Sequence, residues 1–228
     1  MKRLSNLKNT VLKTNDNLFK KGLKVLKTEG PLYFIGKTVA VILTMVWRFF
    51  REYIPLKFLY IFFKNGKIMK KVQGNMMILD LNDLGISREL ALYGVHEKNS
   101  TAEVKTIITP GMKILEVGAN IGYYALIETK LAGPSGHLYA IEPAPHNFNS
   151  LKKNLELNNI RNADLHQAAF GDKRDKAKFY VYDRGNLSSF IKREDMGMKY
   201  EEVEVEIMTL DDFLKFKKVD FIRMDVEG

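Results

Sequence analysis

The chain contains no cysteine. That excludes a disulfide framework, a cysteine-ligated zinc or iron–sulfur site, and cysteine nucleophile chemistry. Histidine is scarce: four residues with no H-x-x-x-H spacing, so a histidine-built metal site is not expected. Long hydrophobic runs are also missing. Between Leu32 and Phe63 the apolar residues are interrupted by Lys37, Arg48, Arg51, Glu52, Pro55 and Lys57, and the longest charge-free run there is Thr38 to Trp47. A spanning helix needs about 20 predominantly apolar residues, so a clean transmembrane helix is not expected. The apolar stretch starts too late, and lacks the small-residue cleavage site, to read as a signal peptide. No internal repeat or low-complexity tract is visible.

Acidic residues are nearly absent from the first 71 positions. Residues 1–71 carry 16 Lys/Arg against 3 Asp/Glu, or +13, and residues 72–228 carry 20 against 24, or −4, which together give the overall +9. The basic character therefore belongs to an N-terminal extension, and the larger part gives no support to nucleic-acid binding. The division predicts an extension over 1–71 and a main domain over 72–228. With 46% hydrophobic and 28% charged residues, the composition is that of a folding globular chain.

Leu4 to Lys27 reads as a basic helix, broken at Gly30-Pro31. Three arrangements of the extension fit its composition: helices packed on the main domain or on a second subunit, a basic aromatic-rich helix on an anionic membrane surface, or a tilted span with Lys37 and Arg48 snorkelling. The expected place is the cytoplasm, with peripheral membrane contact through residues 1–71 as an option.

In the main domain, Met76 to Leu81 reads as a strand, and Ser87 is placed to cap a helix through Tyr93 that ends at Gly94. Ser100 to Glu103 has the form of a capping box. Lys113 to Val117 is a short strand followed by the glycine loop Gly118-Ala119-Asn120-Ile121-Gly122. A helix from Tyr123 to Leu131 closes at Gly133-Pro134. Then come a strand His137 to Ile141, a helix opened by Pro145, and a third strand Asp164 to Ala169. This alternation predicts an α/β fold with a parallel sheet. Ala177 to Tyr182 and Val203 to Met208 alternate at period two, as strands with one wet face do. Thr209 caps a short helix, and Val219 to Met224 is a further buried strand.

A glycine loop between strand and helix brings backbone N–H groups near a ligand, and an acidic residue at the end of the next strand accepts from ribose hydroxyls. Gly118 and Gly122 supply the loop, and Glu142 follows Gly122 by twenty residues. The dinucleotide pattern G-x-G-x-x-G is absent, because Asn120 and Tyr123 stand at its second and third glycines. That disfavours NAD and FAD, and an adenosine ligand without pyrophosphate, such as S-adenosylmethionine, fits better. Glu116, just before the loop, suits the amino-acid end of that cofactor.

Here the chain resembles the FkbM family of class I S-adenosylmethionine-dependent methyltransferases. The resemblance is carried by Asp80 to Leu90, Leu92-Tyr93-Gly94, Glu116 to Tyr124, Glu142-Pro143 with Asn147-Phe148, Ala169 to Asp172, Thr209 to Phe213, and Val219 to Gly228. It covers about residues 76–228. One departure is Gln167, where the family often has asparagine. The resemblance implies a Rossmann-like parallel sheet and methyl transfer, most often to the hydroxyl of a small molecule or sugar, with no nucleic acid involved. The cofactor-binding set it implies is Glu116, Gly118, Asn120, Gly122, Tyr123, Glu142 and Ala168. Asp225, as acceptor-orienting group or base, and Glu227, as a supporting or substrate residue, form the implied catalytic set.

Plainer roles stand beside these. The glycines also serve a tight turn, Glu142 a solvated strand end, Glu116 a loop cap, and Asp225 and Glu227 helix caps. Asn120 is as suited to shaping the loop as to touching a ligand, and His96, His137, His146 and His166 are expected in packing or surface positions. Ser188 and Ser189 fall in a loop over the expected pocket. By the same resemblance the sheet is expected to continue beyond Gly228, so the chain is expected to be truncated after the fourth parallel strand. Two other classes compete: a catalytically incomplete cofactor-binding module tethered to a membrane or partner, and a nicotinamide oxidoreductase.

Overall fold

A computed structural model describes residues 31–48, 50–51, 54–56, 66–83, 85–182, 188–192, 199–215 and 217–226. The expected helix Leu4 to Lys27 and the catalytic candidate Glu227 lie outside the described residues. The chain forms two compact units, residues 1–57 and 58–228.

In the first unit, helix α1 (Pro31–Arg48) opens on a proline, whose missing N–H costs nothing at that position. Ile35, Val41, Ile42, Leu43, Met45 and Trp47 are each more than half exposed. The Arg51 guanidinium lies 4.2 Å from the centroid of the Trp47 ring. Among the described residues, no helix is long and apolar enough to cross a membrane.

The second unit begins with a hairpin of β1 (Lys67–Val72) and β2 (Asn75–Asp80). Its turn residues Gln73 and Gly74 both have positive φ, the geometry that matches the right-handed twist of paired strands. The charge boundary expected at residue 72 thus falls on β1. Lysines there serve the fold: Lys70 Nζ donates to the carbonyls of Leu90 and Ala91 at 3.1 and 2.7 Å. Those carbonyls belong to the last turn of helix α2 (Ile86–Tyr93), where a cation is favoured.

Ser87 was expected to cap α2, but it is buried inside the helix. The cap comes from Asp83, whose two carboxylate oxygens accept from the Gly85 and Ser87 amides at 2.8 and 3.1 Å. The capping box expected at Ser100 also lies too late, for helix α3 (Lys98–Ile107) starts from Glu97, held at φ 44°. Thr101 explains the earlier start: its amide donates to the Glu97 carbonyl and its hydroxyl to the His96 carbonyl, at 2.9 and 2.6 Å.

Strands β3 (Lys113–Val117), β4 (His137–Ile141), β5 (Ala163–His166) and β9 (Phe221–Met224) form the expected parallel sheet, in the order β5-β4-β3-β9. Helices α4 (Tyr123–Ala132) and α5 (Pro145–Leu157) connect its strands. This is the parallel α/β sheet that the alternation predicts, and the Rossmann-like form that the resemblance implies. The single third strand expected over Asp164 to Ala169 is divided at Gln167. β5 pairs with β4 up to His166, and the Glu142 amide donates to the His166 carbonyl at 3.1 Å. The next N–H on the β5 side is that of Ala144, and it turns to Glu142 Oε1 at 3.0 Å, so the ladder stops. The chain then leaves as β6 (Ala168–Phe170) and pairs with β8 (Tyr200–Met208), itself antiparallel to β7 (Asp175–Tyr182). Helix α6 (Leu210–Leu214) is capped by Thr209 as expected, through a 3.2 Å bond from the Asp212 amide. Its Phe213 packs with Leu115, Val117 and Ile141, joining the two sheets under the loops.

Two asparagines of α5 pin the hairpin to this layer. Asn154 accepts from the Ile78 amide and donates to the Ile121 carbonyl, and Asn158 pairs with both backbone groups of Met76. Asn154 is fully buried, so the glycine loop, α5 and β2 are fixed to one another by satisfied polar groups.

Candidate functional site

Positive backbone angles shape the glycine loop. Gly118, Asn120 and Gly122 have φ of 84°, 50° and 91°. At Gly118 an added Cβ would lie 2.1 Å from the Asp225 carbonyl oxygen, so only glycine lets β3 and β9 close at their ends. At Gly122 the Cβ would meet Leu151 Cδ1 at 2.8 Å. Gly122 therefore sits where α4 approaches α5, and it lines neither cavity described below. Asn120 shapes the loop with its side chain, accepting from the Ile121 amide at 2.8 Å, and donates its own amide to Glu142 Oε2 at 2.8 Å.

Glu142 is buried at the end of β4, and its Oε1 accepts from the Ala144 amide and Asn147 Nδ2 at 3.0 and 3.4 Å. Burial pushes its pKa up to about 7 despite these donors. Glu142 faces a cavity of about 290 Å³ that also includes Gly118, Asn120, Ala168 and Asp225. Phe170, Phe179, Phe190 and Met224 make its other walls largely apolar. Ser188 lines it too, as its loop position suggested. A largely apolar cavity with the Glu142 carboxylate on its wall suits an adenosine, whose base wants apolar faces and whose ribose donates two hydroxyls. The residues present fit that half of S-adenosylmethionine.

A second cavity of about 140 Å³ shares Gly118, Asn120 and Asp225 with the first and adds His96, Glu97, Glu116, Tyr123, Tyr124 and Arg223. Its chemistry is ionic. Glu116 and Arg223 are register partners on β3 and β9, and Arg223 Nη1 donates to Glu116 Oε1 at 2.8 Å. Nη2 donates to Asp225 Oδ2 at 3.2 Å and lies 3.7 Å from Glu97 Oε2, and the guanidinium stacks 3.6 Å from the Tyr124 ring centroid. Burial disfavours the charge on Arg223, but Glu116, with Tyr124 and Asp225, holds its pKa above the ordinary value.

Behind Glu116 lies Glu128 of α4, completely buried, with no hydrogen-bond partner among the described residues for either of its oxygens. Desolvation raises both carboxyls, Glu116 well above its ordinary range and Glu128 to about 7. Each charge also raises the cost of the other, since two buried carboxylates side by side repel.

Of the expected site residues, Gly118, Asn120, Glu142, Ala168 and Asp225 thus meet at the larger cavity, and Glu116 and Tyr123 meet at the smaller. Arg223 and Glu128 went unnoticed in the sequence. The alternation of β9 puts residue 223 on the face of Glu116, but only the register between β3 and β9 brings the two together.

The family model of the methyltransferase FkbM domain matches residues 116–228. Methyltransferase 1 of Beauveria bassiana is 30% identical over 135 residues, covering 50% of this chain and 54% of that protein. A protein-L-isoaspartate O-methyltransferase of Methanothrix thermoacetophila is 44% identical over 55 residues, covering 24% and 26%. Among solved structures, TYW2 of M. jannaschii in complex with AdoMet covers 44% of this chain and 42% of its own at 22% identity, with a TM-score of 0.35. The aligned part spans about half the length of the Beauveria relative and about a quarter of the Methanothrix one.

Proposed function

Residues 116–228 belong to the FkbM methyltransferase family, and from that premise we propose that the chain binds S-adenosylmethionine across its two cavities and methylates the hydroxyl of a small molecule or sugar. The cofactor, when bound, supplies a methyl group on a sulfonium, to be attacked in line by the acceptor oxygen. Glu142 accepts from the ribose hydroxyls, and its bond to the Asn120 amide holds the loop against the ligand. Ala168, Phe170 and Phe190 flank the base. Glu116, oriented by Arg223, serves the amino-acid end, and Asp225 stands where the two cavities join. The observation that carries this reading is the buried Glu142 carboxylate on the wall of a largely apolar cavity. An incomplete binding module would share this cofactor site, so the proposal of activity rests on the family and the site of transfer on Asp225.

Calorimetric titration of S-adenosylhomocysteine, the product of methyl transfer, tests it. Native chain is expected to bind saturably, and Glu142→Ala to weaken binding by about 10- to 100-fold, the worth of charge-assisted hydrogen bonds, while still melting cooperatively. Because the ligand wants Glu142 ionised, native affinity should rise as pH passes upward through about 7. A cooperatively folded native chain that takes up no S-adenosylhomocysteine would sink the assignment.

A further inference from the structure

We infer that His96, held by Glu89, is the base of this site: its Nε2 takes the proton of the acceptor hydroxyl in the smaller cavity. The inference rests on the methyl-transfer reading above. His96 Nδ1 lies 2.5 Å from Glu89 Oε2, seven residues earlier on α2. An ionised carboxylate only accepts, so Nδ1 carries the hydrogen and Nε2 keeps its lone pair. This is the carboxylate–imidazole arrangement that fixes a tautomer and stabilises the imidazolium formed when Nε2 is protonated.

The backbone is built to hold the ring there. Gly94 and Glu97 bracket it with φ of 68° and 44°, and the Thr101 hydroxyl ties the His96 carbonyl to the loop. Tyr123 and Tyr124 meet the imidazole edge-on, with centroids 6.0 and 6.5 Å away. The other titratable groups lining the cavity are engaged. Arg223 bonds to Glu116 and Asp225, the Tyr124 hydroxyl donates to Glu97 at 3.1 Å, and the Tyr123 hydroxyl pairs with Thr101 at 3.0 Å. Asp225, for which the resemblance implies either an acceptor-orienting role or that of base, is thereby occupied with a guanidinium, and it orients the acceptor. In the step itself the acceptor O–H bond breaks and its proton goes to Nε2. The oxygen bonds to the methyl carbon, the electron pair of the broken S–C bond stays on sulfur, and the imidazolium remains paired with Glu89.

Nitrogen-15 NMR of the histidine-labelled chain tests this, with His96 assigned by its loss in His96→Gln. At pH 8 the ring should be the Nδ1–H tautomer, and at low pH Nε2 should gain a proton while Nδ1 keeps its own. Glu89→Ala, at a half-buried position, should leave a mixture of tautomers. Saturating S-adenosylhomocysteine should move the His96 ring signals. A proton on Nε2 at pH 8 overturns the assignment. If calorimetry shows S-adenosylhomocysteine bound and the His96 signals stay still, this inference fails and the cofactor assignment survives. Absence of binding by the folded chain overturns both.

Discussion

The larger and the smaller cavity meet at Gly118, Asn120 and Asp225, yet opposite kinds of chemistry wall them. Phenylalanines from β6, β7 and the segment after Ser188 line the larger one, with Glu142 on its wall and Asp225 where it meets the smaller. The smaller one is a mesh of Glu116, Arg223, Asp225 and Glu97, backed by the buried Glu128. Apolar walls give affinity through area removed from water and need only approximate shape. A buried ionic mesh contributes little net stability, because desolvation offsets the attraction, but it fixes side chains in one arrangement. The division follows the chemistry proposed for each: holding a nucleoside in one, orienting reacting groups in the other.

Three substitutions separate these roles. Gly118→Ala strikes the wall common to both, since its Cβ would sit 2.1 Å from a backbone oxygen at φ 84°. It should cost roughly 3 kcal/mol or more and abolish S-adenosylhomocysteine binding, read by thermal melts and calorimetry. Retained affinity would mean that the ends of β3 and β9 part easily and that the shared wall is not needed.

Glu128→Gln acts behind the ionic cavity alone. The folded-state pKa values of Glu116, Glu128 and Glu142 lie above their ordinary ones. The unfolded chain therefore releases these protons first, and ligand-free stability should fall as pH rises from about 4.5 through about 7. Gln removes one titration, so it should stabilise the chain at pH 8 by on the order of 2 kcal/mol and change little at pH 4. A melt at pH 8 lower than native would show that the Glu128 charge is needed there.

Phe190→Ala acts on the apolar cavity alone, where the ring packs edge-on against Phe179 with centroids 5.0 Å apart. It is half-buried, so about 1 kcal/mol of binding, roughly a fivefold weaker affinity, is expected, with the His96 spectrum unchanged. If His96 responds, the two cavities are coupled through Asp225 rather than separate.

Much of this could be read from residues in a row. The β3–glycine loop–α4 unit, Glu142 at a strand end, Pro145 at a helix start and the Thr209 cap all depend on local rules, and each sits where those rules put it. Ser87 failed as a cap because Asp83 already accepts from the Gly85 and Ser87 amides, and Ser100 because Thr101, bonded to the Glu97 and His96 carbonyls, lets the helix start earlier. The third strand broke at Gln167 for a reason that lay beyond another strand, in the Ala144 amide that turns to Glu142 instead of to β5.

Periodicity and glycine placement thus settled the sheet and its loop, because each is a property of neighbours along the chain. Pairing across the chain settled the rest. Arg223 reaches Glu116 over a separation of 107 residues, Glu128 meets Glu116 through the packing of α4 on β3, and His96 lines the cavity because two left-handed residues turn the chain around it. No local rule encodes a register between distant strands; it follows from which buried faces fit together once the whole core is formed.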